Sequence, residues 1–146
     1  MKIRLLLALP FLFFLAAGCS KQDSITNSDD LIGTWYVGAI QSNSAYDWDG
    51  DGRIETDVFG TYNSCQRDIV LVFDQAGYGQ TRQGCNAPWE SLQWQLGGNN
   101  SQLDIFMNSG DINLDIEQFN SNTIRGADYV TVDGRQVRIT YTLYRR

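Results

Sequence analysis

The densest chemistry in this sequence is an acidic stretch, Asp47-Trp48-Asp49-Gly50-Asp51-Gly52-Arg53-Ile54-Glu55-Thr56-Asp57, with five carboxylates in eleven residues. Its D-x-D-x-D-G spacing lets alternate side chains converge on one hard cation while Gly52 permits a sharp turn. The carbonyl of Arg53 would add a backbone oxygen, Glu55 and Asp57 would close the shell, and Ile54 would point into the domain. An all-oxygen donor set of this kind suits calcium or magnesium better than zinc. Clustered like charges repel one another, and a bound cation removes that cost. The bland alternative is an acidic, solvated turn.

Two departures separate the stretch from an EF-hand. The twelfth position, where a bidentate acid belongs, is Val58, and no amphipathic helix flanks the loop. The expectation is therefore a calcium loop set between strands, its role structural. Tyr46 and Trp48 either present an exposed aromatic surface there or pack back onto the domain. Catalytic chemistry is poorly supplied. The chain has no histidine, so a Ser-His-Asp or Cys-His arrangement is excluded. Remaining acids such as Asp115 and Glu117 alternate outward on a strand-like run, and no glycine loop leads into a helix to cradle phosphate. The expectation is a protein that is not an enzyme.

Three cysteines divide into two jobs. Lys2 and Arg4 precede an apolar run from Leu5 to Ala17, and Leu15-Ala16-Ala17-Gly18 leads into Cys19. This has the parts of a secretory signal and resembles a lipobox, with Ala16 where Leu is commonest. It implies cleavage after Gly18 and a lipid anchor (diacylglycerol and palmitate) on Cys19. The run is short for a transmembrane helix. The expected compartment is the outer membrane, with the domain facing the periplasm or the cell surface. Export places Cys65 and Cys85 under oxidising conditions, where a pair in a small domain is normally a disulfide.

Cleavage leaves 128 residues, one domain's worth. Removing Lys2 and Arg4 leaves nine basic residues against seventeen acidic ones, a net charge of −8. So acidic a surface repels nucleic acid and anionic headgroups, so membrane association should come from the lipid alone. Residues 19–30 read as lipidated cysteine and flexible spacer, because Ser20 to Asp30 is polar and lacks aromatics. Residues 31–146 read as the folded domain.

From Leu31 onward the hydrophobic period is two. Ile112, Leu114 and Ile116 alternate with polar residues, as do Val137, Ile139, Tyr141 and Leu143. Turn formers such as Gly97-Gly98-Asn99-Asn100 and Asp133-Gly134 separate the runs. The pattern predicts eight or nine strands, near 32–41, 58–64, 68–74, 77–84, 91–97, 101–108, 111–119, 123–132 and 135–145. Ile69 to Phe73 is apolar on both parities, as in a strand covered on both faces or bordering a cavity. An all-β, up-and-down antiparallel β-barrel is predicted, because closure removes edge strands; a β-sandwich is the alternative.

Gly33-Thr34-Trp35 opens the first predicted strand, and Arg145 ends the last one on the inward parity. This resembles the G-x-W of lipocalins and of bacterial lipocalin-like lipoproteins, whose first strand is followed by acidic D-G-D-G loops similar to the one here. The resemblance implies a lipocalin-like barrel whose closed end is plugged by Trp35 beneath the Arg145 guanidinium. It also implies a small apolar or amphipathic ligand inside, with Val37, Leu71, Phe73, Trp94, Ile105, Met107, Ile139 and Tyr141 as candidate lining residues, and Ala39, Leu114 and Ile116 as further inward positions. The competing expectation is a packed domain whose loops bind a protein or glycan partner.

Overall fold

The computed structural model describes residues 25–146. The signal segment 1–18, Cys19 and residues 20–24 lie outside the described residues. Alternating sequence becomes nine strands: β1 (Gly33–Tyr46), β2 (Glu55–Asp57), β3 (Ile69–Phe73), β4 (Tyr78–Gln83), β5 (Glu90–Gly97), β6 (Gln102–Met107), β7 (Ile112–Asn120), β8 (Thr123–Val132) and β9 (Arg135–Arg145). One helical turn, α1 (Val58–Thr61), follows β2. β1 and β3 to β9 run as an antiparallel meander, and β9 returns to pair with β1 from Trp35↔Arg145 to Ser42↔Ile139. The result is a closed eight-stranded barrel, not a sandwich. The short β2 is an extra strand, paired with the far half of β1 at Gln41↔Asp57 and Tyr46↔Glu55.

The apolar parity of each strand faces inward. Leu92 and Trp94, Leu103 and Ile105, and Val137, Ile139 and Leu143 are all buried, each large aliphatic side chain contributing about 1.5–3 kcal/mol by leaving water. Strict alternation fails at two bulges. In β1 the register shifts between Val37 and Ala39, so Ile40 and Ser42 turn inward and are buried. Ala39, expected inside, does not take that position. In β7 a second shift, between Ile116 and Gln118, brings Phe119 into the core. An extra residue in one strand reverses the parity beyond it.

Two sequence boundaries are corrected. Residues 58–64, expected as a strand, hold α1 instead, because the Asp57 side chain caps the turn by accepting from the Gly60 amide at 3.0 Å. Residues 25–30, expected as part of a flexible spacer, are built onto the barrel. Ile25 is buried in the core, the Asn27 side chain accepts from the amides of Asp29 and Asp30, and the Asp30 carboxylate reaches back to the Asn27 amide. This reciprocal capping box delivers Leu31, fully buried, to the base of the barrel.

The barrel has two unlike ends. At one lie the 25–32 segment, the Gly33 start of β1, the end of β9 and the tight β3–β4, β5–β6 and β7–β8 turns. At the other lie the acidic loop, α1, the Cys65–Cys85 bridge and the longer 84–89 and 108–111 connections. Among the described residues no helix is long and apolar enough to cross a membrane.

Candidate functional site

The first end is sealed by side chains. Trp35 is fully buried, and its indole Nε1 donates to the Leu31 carbonyl at 2.8 Å. The Arg145 guanidinium lies 4.4 Å from the Trp35 ring centroid, and its Nη2 donates to the carbonyls of Asp30 at 2.6 Å and Ile32 at 3.3 Å. Gly33 takes a φ of +136°, and Arg145 Nε would lie 3.7 Å from a Cβ placed there. Such a φ disfavours side chains. The glycine therefore sets the path into β1, and the arginine packs across the opening so made. Just inside, Phe73 and Trp94 meet with centroids 5.4 Å apart, and the Trp94 indole donates to the Tyr78 carbonyl at 2.8 Å.

Above this plug the barrel is hollow. A cavity of about 430 Å³ runs toward the second end, within the size range of small-molecule sites. Of the expected lining residues, Val37, Leu71, Ile105, Met107 and Tyr141 border it, as does Leu114. Phe73, Trp94 and Ile139 do not. The first two belong to the plugged end, and Ile139 is buried beside Ser42 and Asp128 in register. Ile40, Tyr62, Ile69, Thr81 and Leu143 complete the walls, while Gln83, Ala87, Pro88, Glu90 and the 109–112 segment form the mouth. Polar wall atoms are few: Thr81 Oγ1 is committed to the Val70 carbonyl at 3.0 Å. Burial, then the charges of Asp128 and Tyr62, push the Tyr141 phenol up to about 12, so it stays a neutral hydroxyl.

The mouth is fixed in part by covalent chemistry. Cys65 and Cys85 form a disulfide with Cα atoms 4.8 Å apart, tying the segment before β3 to the loop that carries Ala87 and Pro88. Arg82, beside this loop, faces outward: it pairs with Asp68 at 2.8 Å and stacks 5.2 Å from the Trp89 centroid.

The acidic loop brings together three of its expected ligands. One carboxylate oxygen from each of Asp47, Asp49 and Asp51 lies within 4.8 Å of the others, on the exposed surface. The loop's amides turn onto the same side chains: Asp47 accepts from Gly50 at 2.7 Å and Gly52 at 2.9 Å, Asp49 from Asp51 at 3.1 Å, and Asp51 from Arg53 at 2.8 Å. Asp57 is engaged elsewhere, capping α1 and accepting from Gln41 Nε2 at 2.8 Å. Glu55 stands opposite Tyr46 in β2, and its Oε2 is buried without a hydrogen-bond partner among the described residues. Ile54, expected to point into the domain, is instead 73 % exposed. Trp48 packs back: its indole donates to the Glu55 carbonyl at 2.9 Å, and its ring meets Tyr46 edge-on at 5.5 Å.

An antiparallel up-and-down barrel plugged at one end and hollow at the other defines a cup-shaped β-barrel with an internal cavity. Among solved structures the chain is similar to bovine odorant-binding protein in complex with its natural ligand. The identity is 11 %, over 86 % of this chain and 77 % of that one, with a TM-score of 0.47. No family model matches the sequence, and no curated protein matches it.

Proposed function

We propose that this chain is a lipocalin-like lipoprotein that binds a small apolar or amphipathic molecule inside its barrel and catalyses no reaction. The observation that carries this reading is the cavity of about 430 Å³, walled by Val37, Ile40, Leu71, Ile105, Leu114 and Tyr141. A barrel that needed only to fold would fill this space, because each unfilled volume forfeits packing energy. The same hollow argues against the packed interaction domain.

The remaining parts of the proposal rest on sequence. A lipid on Cys19 would hold the domain at the outer membrane, and calcium would order the acidic loop beside the mouth. The donor chemistry fits: three convergent carboxylates, repelling one another when empty, are the kind of oxygen set that binds this ion. Asp57, committed to its cap, is outside the ligand set, which leaves Asp47, Asp49 and Asp51 as the core donors.

Native mass spectrometry of the purified protein, with and without chelator, tests the proposal in one measurement. The expected result is a co-purified or added apolar ligand at one per chain, abolished in Ile105→Trp, which fills the cavity from its wall. Absence of binding for every apolar probe offered, in a protein shown to be folded, would refute it.

A further inference from the structure

We propose that the cavity selects its ligand by head-group charge, taking amphiphiles with a cationic or neutral head and discriminating against carboxylates and other anions. This rests on the binding reading above and adds the class of ligand to it.

Apolar walls explain why a hydrocarbon body would enter, but the ionisable groups decide what its head can be. Two charged side chains border the cavity, Glu90 and Asp111, both acidic and both at exposed positions of the mouth. No lysine or arginine is among the lining residues. Basic side chains among the described residues are eight arginines, and none lines the cavity. Arg145 seals the opposite end, Arg146 lies 4.9 Å from the Tyr36 ring, and Arg125 and Arg138 pair with Glu117. The two nearest in sequence to the mouth are held by other partners. Arg82 is with Asp68, and Arg67 donates to the Gly60 carbonyl at 2.6 Å while stacking on Phe59. Arg53 sits in the acidic loop, and Arg135 opens β9 at an exposed position.

Outside the lining, one further carboxylate acts on Tyr141 with the same sign. Asp128 stands on β8 next to the Ile139 register pair, with both carboxylate oxygens accepting backbone amides, from Asn113 at 3.2 Å and Tyr129 at 2.6 Å. Its charge contributes to the rise of the Tyr141 phenol, which stays protonated and able to donate or accept a hydrogen bond. An anionic head would pass Glu90 and Asp111 and lose water against apolar walls with no cation among the described lining residues. An ammonium would meet two carboxylates at the rim, and a hydroxyl or amide would find Tyr141.

The test is a matched series sharing one tail: decyltrimethylammonium, decanol and decanoate, each titrated calorimetrically into the purified protein below its micelle-forming concentration. Exposed ion pairs are individually worth at most about fivefold in affinity. Two carboxylates that attract one head and repel the other should then separate ammonium from carboxylate by about tenfold or more, with decanol between. Raising the salt should narrow the gap. Glu90→Gln combined with Asp111→Asn should reduce it to about twofold, whereas Asp115→Asn, on the outer face of β7, should leave it in place. Decanoate binding as tightly as the ammonium overturns the charge selection and leaves the cavity reading standing. A gap that survives the double substitution also overturns it. Failure of all three probes to bind is a different outcome and sinks the cavity reading itself.

Discussion

Arg145→Ala should cost this barrel more than any other single arginine substitution. Arg145 stacks 4.4 Å from the centroid of the fully buried Trp35, a desolvated geometry worth about 1–2 kcal/mol. Its bonds to the Asp30 and Ile32 carbonyls add about 1.5–3 kcal/mol for a charged donor. Against this, Arg145 Nε is buried without a partner among the described residues, and truncation removes that penalty of about 1–3 kcal/mol. With each range taken at its middle, the net loss is about 2 kcal/mol. For a domain of this size about 4 °C accompanies each kcal/mol, so Tm should fall by about 8 °C. Urea unfolding followed by far-ultraviolet circular dichroism measures the free energy, and calorimetry the midpoint. Arg146→Ala is the internal control: it also stacks on a ring, Tyr36, but at an exposed position, and should cost at most about 0.5 kcal/mol. Arg145→Lys keeps the charge, loses the planar fork, and should fall between. A loss below about 1 kcal/mol in Arg145→Ala, or an equal loss in Arg146→Ala, would refute the plug as an energetic unit.

Replacing Cys65 and Cys85 by serine opens a loop with a sequence separation of 20. It should lower stability by about 3 kcal/mol in the chain-entropy model, read as a lower urea midpoint, and should loosen ligand retention at the mouth. Asp30 is held below its ordinary 3.8 by the Thr26 and Asn27 amides and the Thr26 hydroxyl. A carboxyl depressed on folding adds stability above its unfolded value, lost as pH falls through the folded one. Asp30→Asn should therefore be less stable than wild type at neutral pH, and the two urea midpoints should converge as pH drops below 3.8. Calcium at a hundredfold excess over its dissociation constant should stabilise the protein by about 2.7 kcal/mol. Asp49→Asn with Asp51→Asn should abolish that increment, and an unchanged Tm with calcium in the wild type would exclude the ion.

Period-two patterning carried most of the barrel, because inward and outward positions are set by strand geometry alone. Arg145 was legible because its parity in the last strand points it inward, and Trp35 because Gly33-Thr34-Trp35 resembles the lipocalin G-x-W, which implies a tryptophan at the closed end. Ile40 was not, since the bulge after Val37 depends on the neighbouring strand and leaves no mark in the alternation. α1 was missed because Val58 and Phe59 are strand formers by composition, and the Asp57 cap overrides that preference. About a third of the cavity lining came from outside the strands. Ala87, Pro88 and Asp111 have no periodic signature. In the acidic loop, spacing foretold the Asp47, Asp49 and Asp51 cluster. It could not foretell that Asp57 would be taken by a helical turn, nor that Ile54 would face solvent.

The docking of residues 25–31 has a directional consequence. Ile25 to Leu31 dock on the plugged end, where Asn100 Nδ2 also donates to the Thr26 carbonyl at 3.1 Å, so the chain enters the barrel opposite its opening. Six residue steps separate Cys19 from Ile25, and an extended chain covers at most about 3.6 Å in each, or about 20 Å in all. A lipid on Cys19 would thus moor the barrel base-down, like a cup on a short stem, with its opening turned toward the aqueous phase. Cargo would be captured from or released into solution, or handed to a soluble carrier, and not drawn sideways out of the bilayer that holds the anchor.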